Sequence, residues 1–478
     1  MAATAEQPRT PTGRTAWIMV ALLLACNLLA SLMQSIMNVA LDDVATRYHI
    51  SLSVANWVVL GYAIVTGTVI TMGASLLKRF GLRIIMMAGC VFALAGSLLG
   101  FFAWDFPSLL AGRLIQAVCT GLYFPIVNEA LLTIAPKGKA GVLLSVNSCA
   151  IGAGLAFAPL VAGALIAAAG LQSLFLVTAI GATALLVLSF FFLRDIYARA
   201  KRPIDIPSVI LSFLGLGALM YGLNEVTHSL VPSLALMAAG AAVMALFVWR
   251  QKRIAHPLLD LRPFKVRAFT IGEMLIVFSY MSSIYMSLLM PLYLEGTAGY
   301  SAFKAGLVLV APILCYAAAC LASGKILGKH GVWPLVPLGF ALTLGAFIAM
   351  EATSAAQQIV PMLIAVAVAY GGIGLLYPAV KSVDLEVLPA DISANGSAIH
   401  STIVQLAGSV GSALYVGVMA GDVDSLMAAG TAKAAAYAAG FSHTLLMGIG
   451  VVAAALALSF LYARAVDRWS QRNAKTEN

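Results

Sequence analysis

The sequence predicts an all-α membrane fold: two parallel-repeated six-helix halves with two extra central spans, fourteen transmembrane helices in all. Three observations carry that prediction. Hydrophobic residues make up 62% of the 478 positions and charged residues 10%, whereas a soluble domain keeps about a quarter of its residues charged. Apolar runs of the ~20 residues needed to cross a bilayer recur from Thr15 almost to the C-terminus. The second half of the chain also repeats the first at a nearly constant offset.

Taken in order, the apolar runs place six spans at 15–41, 53–77, 82–104, 107–134, 141–168 and 171–193. Two follow at 207–224 and 230–249, and six more at 268–293, 302–326, 332–354, 357–382, 394–420 and 438–463. The corresponding units are a cytoplasmic tail over 1–14, a six-helix bundle over 15–193, and two additional helices with their linkers over 194–267. A second bundle covers 268–465 and a cytoplasmic tail 466–478. The first run is too long for a signal-peptide core of about 7–15 residues, so it is expected to be a retained span.

The net charge of +9 does not point to nucleic acid, because the bases sit between apolar runs and follow topology. With both termini inside, only Arg47, Lys304 and Lys433 of the 28 Lys and Arg fall on the outer side, and Arg113 lies within a span. Shifting the topology by one span would invert the positive-inside bias. All six cysteines lie in apolar runs without metal-site spacing, which reads as small-residue packing. No metal or cofactor is expected, and no GxxxxGK[ST] loop is present for ATP.

The repeat fixes the architecture. "GLYFPIVNEALLTIAP" at 121–136 recurs as "GLLYPAVKSVDLEVLP" at 374–389, matching Pro125 to Pro378 and Pro136 to Pro389. "LLKRFGLRIIMMAG" aligns with "ILGKHGVWPLVPLG", matching Gly81 to Gly331 and Gly89 to Gly339. Parallel halves of this kind build transporters whose site lies near the membrane midplane between them.

On these segments, the sequence resembles the fourteen-span drug:proton antiporter family of the major facilitator superfamily. "NVAL" at 38–41, "RLIQAVCTGLYFP" at 113–125, "APLVAGALIAAAGLQSLF" at 158–175 and "HPLLDLRPFKVRAF" at 256–269 carry the likeness. The resemblance implies export by alternating access, with Arg113 and Gln116 as the span-four R-x-x-Q motif near a proton pathway and Pro159 and Gly163 in the span-five gating motif. The departures are pointed. Met33 stands where relatives carry an acid, Asp42 where they carry proline, and Lys78 where the loop after span two carries aspartate.

A charge in the hydrocarbon core costs at least ~2.5–3.5 kcal/mol, so each one asks for a role. Glu129, one turn after Pro125, is the expected substitute for the missing span-one acid, since a carboxyl in an apolar setting can load and release protons near neutrality. Lys381, at the same repeat depth as Asn128, is expected to close the inner side by pairing with Glu129. Glu273 is a further proton or cation site, and His400 a neutral histidine between helices with proton chemistry within reach. Tyr62, Phe124, Tyr280 and Tyr377, with Gln116 and His400, are expected to line the substrate cavity. Asp42 and Asp43, at the outer end of span one, read as boundary residues.

The function expected is proton-coupled export of lipophilic, amphipathic compounds, cations among them, through a bacterial inner membrane with both termini cytoplasmic. Expected partners are the small-molecule substrate, protons and the lipid bilayer, not nucleic acid, and a monomer is expected. Export of an endogenous lipophilic metabolite or lipid with weak or no proton coupling is the alternative, favoured by Met33 and Lys78. A non-transporting membrane sensor on the same fold is a third reading, and an enzyme is not expected.

Overall fold

The computed structural model describes residues 13–476 except 39, 137, 200–202, 227–228, 256 and 355. The expected N-terminal tail, apart from Gly13 and Arg14, lies outside the described residues. Among the described residues, fourteen helices are long and apolar enough to span a membrane. They are α1 Gly13–Asn38, α2 Ser53–Phe80, α3 Leu82–Phe101, α4 Phe106–Ile134, α5 Ala140–Ala169, α6 Gln172–Phe192, α7 Ile206–Glu225, α8 Leu230–Arg253, α9 Arg267–Ala298, α10 Lys304–His330, α11 Val332–Ser354, α12 Ile359–Glu386, α13 Ser393–Ala428 and α14 Lys433–Gln471. Every expected span is present, and the differences are at the ends. The first span stops at Asn38, and Asp42 and Asp43 lie on a separate short helix, Leu41–Tyr48, with Asp43 exposed. Span twelve runs on to Glu386, and the last helix continues through Thr476, where a tail was expected.

Local chemistry explains the breaks. Gly81 and Gly331, matched by the repeat, end α2 and α10 with φ of 79° and 70°, a region glycine enters without Cβ strain. Asp105 opens α4 by accepting from the Ser108 backbone N–H (2.9 Å), while the Ser108 hydroxyl accepts from the Asp105 N–H; Pro107 follows at the helix start. The repeat also dictates packing. A Cβ on Gly89 would lie 2.3 Å from the Tyr123 ring, and one on Gly339 would lie 2.7 Å from Leu376 Cβ. Gly89 and Gly339 therefore let α3 close onto α4, and α11 onto α12, at equivalent points.

Helices α1–α6 pack as one bundle and α9–α14 as another, while α7 and α8 pack on each other and α7 leans on α2 and α13. The described parts of both long connections, between α6 and α7 and between α8 and α9, lie at one end of the molecule, here the linker end. There Arg250 grips Asp205 with Nε and Nη2, each 2.8 Å from a carboxylate oxygen. This holds Asp205, just outside the membrane span, down at about 2, chiefly through the hydrogen bonds from Arg250. Gln251 takes the Leu258 and Leu259 N–H groups on its Oε1 (2.7 and 3.2 Å), folding the second connection back under α8. That connection then bridges the halves. Its Leu258 carbonyl accepts from Ser75 on α2 (2.8 Å), and its Asp260 N–H donates to Asn395 on α13 (3.0 Å).

Candidate functional site

Arg113 is buried in the first bundle, 1% exposed. Its Nη1 donates to the Met33 carbonyl (3.0 Å) and to Gln116 Oε1 (2.8 Å), and its guanidinium lies over the Tyr62 ring, 4.1 Å from the centroid. The Tyr62 hydroxyl meets Thr120, and Gln116 Nε2 donates to Ser97 (2.7 Å). The Arg-x-x-Gln pair is thus a helix-binding network joining α1, α2, α3 and α4. It meets the chain at Met33 through a backbone carbonyl instead of a carboxylate. Tyr62 and Gln116, expected in the cavity wall, are engaged inside this network and nearly inaccessible.

Further toward the linker end, a ladder of neutral amides crosses the first bundle. Asn27 donates to Asn147 (2.9 Å) and Asn147 to Asn128 (2.7 Å), tying α1, α5 and α4. At the repeat offset, Asn128 becomes Lys381 and Asn147 becomes His400. The second bundle therefore carries ionisable groups at the corresponding helix contacts. His400 Nδ1 lies 3.1 Å from Glu273 Oε1, and the Tyr377 hydroxyl is 3.4 Å from His400 Nε2. Lys381, 1% exposed, lies within electrostatic reach of Glu273.

One turn beyond Lys381, Asp384 is fully buried and accepts from the Tyr462 hydroxyl at 2.8 Å. Sequence reading missed Asp384 because span twelve was taken to end at 382. Continuing the α12 face from Tyr377 through Lys381 at helical spacing would have brought Asp384 in. Lys381 was expected at the inner end of span twelve, and α12 carries on past it to Glu386.

Between the bundles, Glu129 on α4 is 6% exposed and accepts from the Ser393 hydroxyl on α13 at 2.7 Å. The expected Glu129–Lys381 ion pair is not formed: Glu129 is held by Ser393, and Lys381 faces Glu273 within its own bundle. Glu273 does not pair with Arg267 at the start of its own helix, because His400 takes the carboxylate and Arg267 is exposed.

The halves meet tightly around Glu129. Lys78 donates to the Asp391 carbonyl (3.2 Å), and a Cβ on Gly324 of α10 would lie 2.8 Å from Val142 Cα of α5. Nearer the midplane, Gln34 donates to Gln405 (3.2 Å), and Gly152 gives way to the Tyr316 ring. Toward the far end, Pro159 is exposed, and a side chain at Gly163 or Gly306 would meet nothing within 4 Å. Phe124, Tyr280 and Tyr377 are half-buried along the interior of the bundles. The arrangement is a structure sealed at its linker end, with a carboxylate at the centre of the seal.

The sequence matches the Major Facilitator Superfamily over residues 23–412. It is 26% identical to the lincomycin resistance protein LmrB of Listeria monocytogenes, over 81% of this chain and 83% of that one. It is 23% identical to the riboflavin transporter RibZ of Clostridioides difficile, over 84% and 87%. Among solved structures, it is similar to the proton:xylose symporter XylE bound to 6-bromo-6-deoxy-D-glucose, with a TM-score of 0.62 at 17% identity, covering 91% of this chain and 94% of that one.

Proposed function

The chain belongs to the Major Facilitator Superfamily, and from that premise we propose that it exports lipophilic, amphipathic compounds, cations among them, from the cytoplasm by alternating access driven by proton influx. The observation that carries the reading is Glu129, a buried carboxylate that bridges the two halves through Ser393. Proton uptake there turns an acceptor-only group into one that also donates, which changes what Ser393 can offer it. The charge state of Glu129 thereby biases whether the linker end stays shut.

The bias of Lys and Arg toward the linker end supports placing that end in the cytoplasm, with the seal then closing the substrate path on the cytoplasmic side. A bacterial inner membrane is the setting in which such an exporter would act. Half-buried Phe124, Tyr280 and Tyr377 offer apolar surface to a substrate, and drug-resistance names among the relatives point the same way. Arg113 serves as the anchor that holds α1 against α4, and Glu273 as a second acid within the proton path.

Proteoliposomes with a trapped pH-sensitive dye test this. Lipophilic cations added under an imposed proton gradient should drive proton flux in the wild type, and Glu129→Gln should abolish it while substrate binding persists. Substrate movement without proton flux would move the assignment to an uncoupled exporter of a lipophilic metabolite. Arg113, which meets a carbonyl at position 33 instead of an acid, is the observation that favours that alternative.

A further inference from the structure

Glu273 Oε2 and Asp384 Oδ2 are both buried, and neither has a hydrogen-bond partner among the described residues. Asp384 packs onto the α9 backbone at the residue before Glu273: a Cβ on Gly272 would lie 2.0 Å from Asp384 Oδ1 and 2.1 Å from Oδ2. Only a glycine in front of Glu273 lets the Asp384 carboxylate press onto the α9 backbone. From these contacts we propose that Glu273 and Asp384 form one buried acid pair that binds a single exchangeable proton, a second proton site separate from Glu129.

The surroundings argue for a proton. The groups facing the pair are His400 from α13, Tyr377 and Lys381 from α12, and Tyr462 from α14, with Cys320 of α10 beside Lys381, while Glu386 is exposed and takes the Ser382 hydroxyl. Lys381 is the one fixed cation in this set. Two carboxylates sharing an apolar site with one ammonium leave an uncompensated negative charge, and a shared proton removes it. A proton also fills the vacancy in the hydrogen bonding, because a protonated carboxyl can donate where both free oxygens can only accept. A metal ion would need several converging ligands, and no such group of His, Cys, Asp and Glu exists among the described residues.

The balance is simple. The proton bonds to one carboxylate oxygen on loading, Lys381 remains the counter-ion of the other acid, and the same O–H bond breaks on release. The inference rests on the proton-coupled reading above and adds a second proton to each cycle.

Infrared difference spectroscopy on the full chain in lipid nanodiscs, stepped between mildly acid and mildly alkaline buffer, tests this without any substrate. A failure of the export assignment therefore leaves its outcome untouched. The wild type should show a buried protonated-carboxyl band that is lost in Glu273→Gln and equally in Asp384→Asn, while Glu129→Gln removes its own signal and leaves this one. Tyr462→Phe, which keeps both acids, should retain the band and move its pH midpoint. A band that survives both acid substitutions, or two separate bands each lost in one variant, overturns the shared proton. A midpoint unmoved in Tyr462→Phe removes Asp384 from the site.

Discussion

The Ser393 hydroxyl donates to Glu129 across the boundary between the two bundles, at 2.7 Å and with both residues buried. A hydrogen bond to a charged acceptor is worth about 1.5–3 kcal/mol. Ser393→Ala should therefore move the conformational equilibrium about ten- to a hundredfold away from the sealed state. Cysteine labelling of a single-cysteine variant at position 142 checks it: labelling from the linker end should rise in Ser393→Ala. Unchanged labelling would remove Glu129–Ser393 from the seal.

Close backbone approach makes the other part of that seal. Gly324 faces Val142 Cα at 2.8 Å from where a Cβ would stand, and backbone cannot swing aside as a flexible side chain can. Gly324→Val should open the linker end, detected as a longer α5–α10 distance by electron–electron resonance between spin labels on the two helices. Gly163→Val, beside open space, should leave that distance as in the wild type.

Arg113 is held by geometry that lysine does not reproduce, since a planar guanidinium both forks and stacks. Arg113→Lys should lose the stacking on Tyr62 and part of the contact to Met33 and Gln116. The expected cost is about 1–3 kcal/mol for each polar partner left unmet, seen as a lower thermal midpoint in detergent. Transport lost without any loss of stability would show instead that Arg113 acts on the proton path.

The Asp205–Arg250 clamp predicts an acid limit. Asp205 is held at about 2, against an ordinary 3.8, so its folded value is depressed. Its contribution is fully present above about pH 4 and is lost as pH falls toward 2. Asp205→Asn should lower the thermal midpoint at neutral pH by the equivalent of about 1 kcal/mol. The difference from wild type should shrink as the buffer is taken below pH 4. A constant difference would mean that the ion pair is not its source.

Lys381 gives the last prediction. If it neutralises one member of the acid pair, Lys381→Ala should be rescued in part by Asp384→Asn and not by Glu129→Gln. Proton flux in proteoliposomes of the two double variants decides it. Rescue by Glu129→Gln alone would restore a gate between the bundles.

The fold was legible because hydrophobicity and the glycine–proline repeat report on lipid contact and helix packing, both of which are local. The partner of each charge was not. Lys381 and Asn128 could be put at equal depth from the repeat, but whether Lys381 faces Glu129 or Glu273 depends on how α12 is rotated against its neighbours. Asp384 escaped because its own charge, with Glu386, ended the apolar run that defines a span, although α12 continues past it. Met33 remained puzzling on sequence grounds for a related reason: Arg113 is satisfied there by a main-chain oxygen, and no side-chain pattern encodes that.

The two bundles also differ in what they could contribute to the proposed cycle. Positions 128 and 147 in one copy hold asparagines bonded to each other, whereas 381 and 400 in the other hold lysine and histidine beside an acid. Amides do not change charge at any physiological pH, so the Asn27–Asn147–Asn128 ladder of the first copy keeps its contacts whatever the proton concentration. In the proposed cycle that copy would serve as a fulcrum, with the response to acidity carried by its twin and by Glu129 at the boundary, a division of labour between duplicated modules.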